Sequence, residues 1–262
     1  MAIQDILAHV DNTDSGAARL ALSVELAKQH DAHLRLLLVQ GDSQGSVEAY
    51  VEAIKARFEG QVSGLSTEWI VVGVNQKVHS TVDQMVWHAR HSDLVVVGQS
   101  HPNSGSHALK KVEERLMLEG GRPVLVVPYV GQTRAGANRV MVAWNNSRES
   151  VRAVNDAIPL MQRADSVSLL ALLSQHEDPS QVKNSCEDMI RHLKRHGIEA
   201  ETQYLTVKEI DAGNVLLSCL ADESINLLVM GGYGHHRFRE LVLGGVTREI
   251  LEHMTVPVLM SH

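Results

Sequence analysis

Short, nearly unbroken apolar runs alternate along this chain with longer stretches in which apolar residues recur every three or four positions. The runs fall near residues 4–10, 33–39, 67–73, 93–98 and 122–127, and again near 139–144, 166–173, 199–206, 225–231 and 256–260. They are rich in Val, Ile and Leu, the pattern of strands buried on both faces. The stretches between them, such as "SGAARLALSVELAKQH" and "SVEAYVEAIKARF", read as amphipathic helices. In the second, Val47, Tyr50, Val51, Ile54 and Phe58 recur at helical spacing. Asp14 or Ser15 in one half and Ser147 in the other stand where N-caps belong. Strand–helix alternation predicts parallel strands joined by right-handed crossovers.

The pattern repeats. "ILAHVDNTDSGAARLAL" (Ile6–Leu22) matches "VMVAWNNSRESVRAVNDA" (Val140–Ala157), pairing Asp11 with Asn145 and Asn12 with Asn146. "DLVVVG" (Asp93–Gly98) matches "NLLVMG" (Asn226–Gly231), and "PVLVV" (Pro123–Val127) matches "PVLMS" (Pro257–Ser261). The register predicts two copies of one α/β domain, residues 1–130 and 139–262, with "GQTRAGAN" (Gly131–Asn138) between them. Each copy is expected to be a doubly wound domain around a five-stranded parallel sheet.

Composition narrows the partners. The chain has 262 residues and a formal net charge of −7, with aromatics at 3 %. An acidic chain with scattered Lys and Arg argues against nucleic acid and anionic membrane as partners. No apolar run approaches the ~20 residues that span a bilayer. "MAIQDILAHVD" has no basic region and meets Asp5 early, unlike a signal peptide. Cys186 and Cys219 therefore read as thiols rather than a disulfide, and the expected setting is cytoplasmic.

The candidate chemistry lies in "MGGYGHHRFRELVLGGVTREIL" (Met230–Leu251). Open α/β sheets bind ligands beyond the carboxyl ends of their strands, where strand order reverses. If the first and fourth strands of a copy are neighbours there, this stretch and "NNSRES" flank one cleft. Glycine lets main-chain N–H groups approach an anion without a Cβ in the way. Gly244 and Gly245 precede a helical segment, whose unpaired first-turn N–H groups favour phosphate, and Thr247 adds a hydroxyl. A connector with a glycine turn at each end would carry the same spacing. Neither a GxxxxGK[ST] loop nor a GxGxxG fingerprint after the first strand is present.

Gly231-x2-Gly234-x9-Gly244, followed by Gly245-Val246-Thr247, resembles the nucleotide loop of universal stress proteins, where the pattern is G-x2-G-x9-G-[ST]. "VMVAWNNS" is similar to that family's opening strand and "VPVLM" to its last, and the likeness covers nearly the whole chain as a tandem pair. The resemblance implies flavodoxin-like domains of strand order 3-2-1-4-5, paired as a pseudo-dimer through their fifth strands, and ATP, with Mg²⁺ admissible beside it, as the ligand. By position it assigns Met230, Gly231, Gly234, Gly244, Gly245, Val246 and Thr247 to the nucleotide loop. Asn145 matches the family's first-strand Asp, and Leu172 and Leu173 match the place where main chain meets adenine.

Both copies depart from the family pattern. In the second, Gly245 replaces a hydroxyl residue and Asn145 replaces Asp, changes expected to weaken ATP or shift the preference to another ligand. The first keeps Asp11 and Gly98, but has His101 where a glycine belongs and Lys110 and Lys111 in place of the final pair. It is expected not to hold nucleotide in the family manner. Its lysines could attract an anion, or simply solvate a helix start.

Fifteen histidines invite a metal, and His192 with His196, His88 with His91, and His235 with His236 form pairs. None has the third and fourth converging ligand that zinc wants, so no structural metal is expected. His235, His236, Arg237 and Arg239 could face phosphates, or stay wet while Phe238, Leu241 and Leu243 pack the loop down. Cys219 reads as core, as do Met85, Met117, Met161 and Met189. Hydrolysis needs a base and Mg²⁺ ligands, and Glu240 is the carboxylate near the loop. The leading expectation is a stress-response module that binds an adenine nucleotide in its second half, is not a fast enzyme, and acts through a protein partner or homo-oligomer. The alternatives are an interaction protein with decayed sites and a slow ATPase.

Overall fold

The computed structural model describes residues 2–40, 46–73, 81–100, 112–131, 138–173, 178–206, 212–233 and 245–262. The chain divides into two units, Ala2–Ala135 and Gly136–His262.

In the first unit the elements are β1 (Asp5–Val10), α1 (Asp14–His30), β2 (His33–Gln40), α2 (Val47–Val62), β3 (Thr67–Gly73), α3 (Thr81–Ala89), β4 (Leu94–Gly98), α4 (Val112–Gly120) and β5 (Val124–Val127). The strand order is β3-β2-β1-β4-β5. In the second they are β6 (Arg139–Ala143), α5 (Arg148–Met161), β7 (Ser166–Leu173), α6 (Pro179–Arg195), β8 (Glu201–Thr206), α7 (Ala212–Asp222), β9 (Leu227–Gly231), α8 (Gly245–His253) and β10 (Val258–Ser261). Their order is β8-β7-β6-β9-β10. Each unit is thus an α/β domain of order 3-2-1-4-5, parallel throughout, as expected.

Apolar runs dictate this layering. Ile6 on β1 pairs in register with Leu34 on β2 and Leu94 on β4, and all three are at most 1 % exposed. Val140 on β6 stands likewise between Val167 and Leu227. A side chain with strands on both sides and helices above and below reaches no water, and each such aliphatic contributes about 1.5–3 kcal/mol. Val51, Ile54 and Phe58 of α2 are buried, as their spacing predicts. So are Met85, Met117, Met161 and Met189.

Two expectations need correction. The N-cap of α1 is Thr13, whose hydroxyl accepts from the Gly16 amide, rather than Asp14 or Ser15. Asp11 sets this by accepting the Thr13 amide at 2.9 Å, which places the turn one residue earlier. In the second unit Ser147 is the cap, as expected. Cys186 is fully buried, while Cys219 is only half-buried, on the flank of the α7 stripe formed by Leu216 and Leu220.

A polar clasp closes the amino-terminal end of both sheets. Asp93 Oδ2 accepts the amides of Gln4 at 2.9 Å and Asp5 at 3.1 Å. Asn226 Oδ1 accepts the amide of Arg139 at 2.9 Å, in the same place of the repeat. These bonds pin the start of the first strand to the start of the fourth.

Candidate functional site

β6 lies between β7 and β9, so the first and fourth strands of the unit are neighbours at the reversal of order. Ala143, the last residue of β6, pairs with both Leu170 and Met230. Asn145 therefore emerges between the ends of β7, carrying Leu172 and Leu173, and β9, carrying Met230 and Gly231. Met230 is 5 % exposed and Leu172 and Leu173 are half-buried.

Asn145 builds the turn into α5. Its Oδ1 accepts the Ser147 amide at 3.1 Å, and the Ser147 hydroxyl accepts the Ser150 amide at 3.1 Å. This satisfies one orphan donor of the helix start. Asn146 takes the left-handed conformation, φ 56°, which asparagine tolerates better than most residues.

The first turn of α5 then seats directly on the end of β9. A Cβ at Gly231 would stand 2.6 Å from the Ser150 nitrogen and 2.7 Å from the Glu149 carbonyl carbon. Gly231 is thus required by helix–strand packing, whatever approaches it from solvent.

α8 supplies the other wall. Thr247, 4 % exposed, accepts the Tyr233 amide on its hydroxyl at 3.3 Å. That bond draws the start of α8 to the end of β9, and among the described residues the hydroxyl makes no other hydrogen bond. Gly245 is exposed, and among the described residues nothing lies within 4 Å of a Cβ placed on it. Gly232 is tied down by its amide to the Ser261 carbonyl at 2.9 Å and by His262 Nδ1, 3.0 Å from its own carbonyl. Gly234 and Gly244 lie outside the described residues, as do His235, His236, Arg237, Phe238, Arg239, Glu240, Leu241 and Leu243.

Two features of this wall are not apparent in the sequence reading. Glu149 is a carboxylate at the crevice, 5 % exposed and 3.0 Å from Arg148 Nη2. Burial pushes its pKa up, but its own amide and Arg148 outweigh that and hold it below the usual range. A charge at a helix start favours the ionised form too. Second, a cleft of about 430 Å³ opens between α5 and α6, with Trp144, Asn146 and Val151 on one side and Gln181, Ser185 and Asp188 on the other. The indole N–H of Trp144 donates to the Ser185 hydroxyl at 3.2 Å. This cleft touches the Asn145 turn but includes neither Leu172, Leu173 nor Gly231.

The matching place in the first unit is built otherwise. Arg19, 3 % exposed, donates from Nε to the His9 carbonyl and from Nη2 to Asp11 Oδ2, each at 2.6 Å. Its Nη1 occupies the space where a Cβ of Gly98 would stand. Burial pushes the Asp11 carboxyl up, but Arg19 and Thr13 more than offset this and bring it to about 2. His9 is pushed down to about 3 by burial and by Arg19, with Asp11 opposing. Arg19 shares the buried face of α1 with Gly16, Leu20 and Ser23, so its helical spacing marks it as an inward-facing charge. His101, Lys110 and Lys111 lie outside the described residues.

Among the described residues no group of three or more His, Cys, Asp or Glu could hold a metal ion. The rings of His192 and His196 meet edge to face, with centroids 4.7 Å apart. His88 and His91 flank the exposed ring of Trp87. No helix among the described residues is long and apolar enough to cross a membrane.

Comparison with known proteins bears on the second unit first. Residues 136–262 match the sequence model of the universal stress protein family. A universal stress protein of Synechocystis sp. is 29 % identical over 156 residues, which cover 56 % of this chain and 49 % of that relative. The match thus spans about half the length of the curated relative. Among solved structures, a universal stress protein from Archaeoglobus fulgidus aligns over 98 % of this chain and 96 % of its own, with a TM-score of 0.69 at 15 % identity. A putative universal stress protein from Pseudomonas aeruginosa aligns over 98 % and 92 %, with a TM-score of 0.62 at 15 % identity. At that identity the likeness speaks for the fold, and here the fold shared is that of the whole two-unit chain. By its sequence the second unit, residues 136–262, belongs to the universal stress protein family, and the chain shares the fold of solved proteins of that family.

Proposed function

We propose that the second unit binds an adenine nucleotide, ATP, and that the protein serves a stress response by binding rather than by fast catalysis. The observation that carries this reading is the pinning of the α8 start to the end of β9 by the Tyr233–Thr247 bond, beside the Asn145 turn. It gathers first-turn N–H groups, an open glycine and a hydroxyl at the reversal of strand order, where such sheets take ligands. Gly245, Val246 and Thr247 would hold phosphate oxygens, together with Gly234 and Gly244 of the loop. Asn145, Leu172 and Leu173 would face the nucleoside, and Mg²⁺ would accompany the phosphates. Glu149 is the one carboxylate described at the crevice wall and is already paired with Arg148, which argues for slow turnover at most. A cytoplasmic setting and a protein partner or homo-oligomer belong to the same proposal.

Equilibrium dialysis with radiolabelled ATP tests it. The expected result is about one nucleotide per chain for the wild type and none for Gly234→Glu. No binding at millimolar ATP would favour the interaction-protein reading instead. Phosphate release above background would favour a hydrolase.

A further inference from the structure

In the register that aligns Asp11 with Asn145, Arg19 of α1 stands where α5 has Ala153, and both are buried. Their surroundings differ in two ways. Asp11 has both carboxylate oxygens engaged: Oδ1 by the Thr13 amide and hydroxyl, Oδ2 by Arg19. Asn145 gives only Oδ1 to Ser147, and its carboxamide nitrogen makes no hydrogen bond among the described residues. Furthermore, the Arg19 guanidinium is what lies against Gly98, whereas the main chain of α5 lies against Gly231. The guanidinium wedges α1 off the end of β4.

The α4 start repeats the theme. Glu113 takes the place that Thr247 has on α8, is 6 % exposed, and accepts the Ser100 hydroxyl at 2.7 Å. Ser100 in turn stands where the second unit has Tyr233. A buried carboxylate thus sits at the helix start where an incoming anion would bring its own charge.

We propose that Arg19 is a specificity-determining residue, a resident cation that saturates Asp11 and fills the crevice floor, and so keeps nucleotide out of the first unit. Glu113 acts in the same sense at the α4 start. The two units therefore differ in ligand capacity through side chains already in place. This rests on the reading that the second unit binds ATP.

Transplanting the residue tests it. Ala153→Arg should weaken ATP binding at least about tenfold in calorimetry, while Ala153→Leu, which adds bulk without charge, should weaken it less. Ala153→Arg binding within about threefold of the wild type, or no more weakly than Ala153→Leu, would overturn the proposal. Should Ala153→Arg not fold, Asn145→Asp with Ala153→Arg, which supplies the guanidinium's carboxylate, is read in its place by the same criterion. A second arm needs no nucleotide. Arg19→Ala should melt at a lower temperature than the wild type, and millimolar ethylguanidinium should restore it while ethylammonium should not. No lowering, or equal rescue by both cations, overturns the resident-cation assignment. If the wild type binds no ATP, the nucleotide reading fails by itself, and the rescue arm still decides the role of Arg19.

Discussion

At the end of the fourth strand each unit carries a glycine, and the two glycines answer to different neighbours. Gly231 is bare because the first turn of α5 rests on it, main chain against main chain. Gly98 is bare because an arginine tip lies there. The same residue at the same place of a repeat thus serves a tight helix seat in one unit and a buried ion pair in the other. The seat leaves the turn after β6 with an Asn145 carboxamide nitrogen that makes no hydrogen bond among the described residues. The ion pair leaves the turn after β1 with none of its carboxylate spare. What the comparison teaches is that a repeated sequence position transmits geometry more faithfully than it transmits capacity for a ligand.

The sharpest way to break the comparison is to remove the arginine. Arg19→Ala leaves Asp11 without its partner and opens a void beside Gly98, and should cost about 3 kcal/mol in urea unfolding, the scale of one partner lost from a buried pair. Next, the glycines should respond unequally to an added methyl. Gly231→Ala meets main chain at 2.6 Å and should cost about 2 kcal/mol, against about 1 kcal/mol for Gly98→Ala, where a side-chain tip can yield. Equal losses would remove the distinction between the two seats.

Acid should also separate the units. His9 stays neutral when folded down to about pH 3 but takes a proton near its ordinary value, 6.5, when unfolded. Its folded pKa is depressed, so the stability present above pH 6.5 is lost as pH falls toward 3, with a slope approaching about 1.4 kcal/mol per pH unit. Asp11, depressed to about 2, adds its own loss below its ordinary value, 3.8. The second unit has Ala143 in place of His9, and His9→Gln should flatten the upper part of the curve in pH-dependent melting. The smallest expected effect lies at the caps. Thr13→Ala and Ser147→Ala should each cost about 1 kcal/mol, because both hydroxyls accept a first-turn amide.

The strands were legible because apolar runs such as Leu94–Gly98 and Leu227–Gly231 carry their burial in their composition, while their order came from the family resemblance and not from the runs. The cap at Ser147 was legible, while that at Thr13 was masked by two further candidates behind it. The reason was the Asx turn made by Asp11, a contact that no periodicity encodes. The Asn145 turn and the α8 start could be placed from motif spacing. Gly231 could be singled out but not explained, since its neighbour is the backbone at Ser150, 81 positions earlier in the chain. Arg19 was within reach, as a charge on the apolar stripe of α1. Glu149 was not, because an acidic residue in a first helical turn is ordinary and only the packing of α5 on β9 buries it.

The clasps made by Asp93 and Asn226 carry a consequence for synthesis. Asp93 reaches back across 89 positions to Gln4, so β1 acquires its β2 neighbour long before the residues that secure its other edge have left the ribosome. At about 5–20 residues per second that edge waits on the order of 4–18 s, and β6 then waits nearly as long for Asn226, 87 positions on from Arg139. The nascent chain twice presents an unfinished apolar ribbon, and each interval is a window in which a chaperone has something to hold.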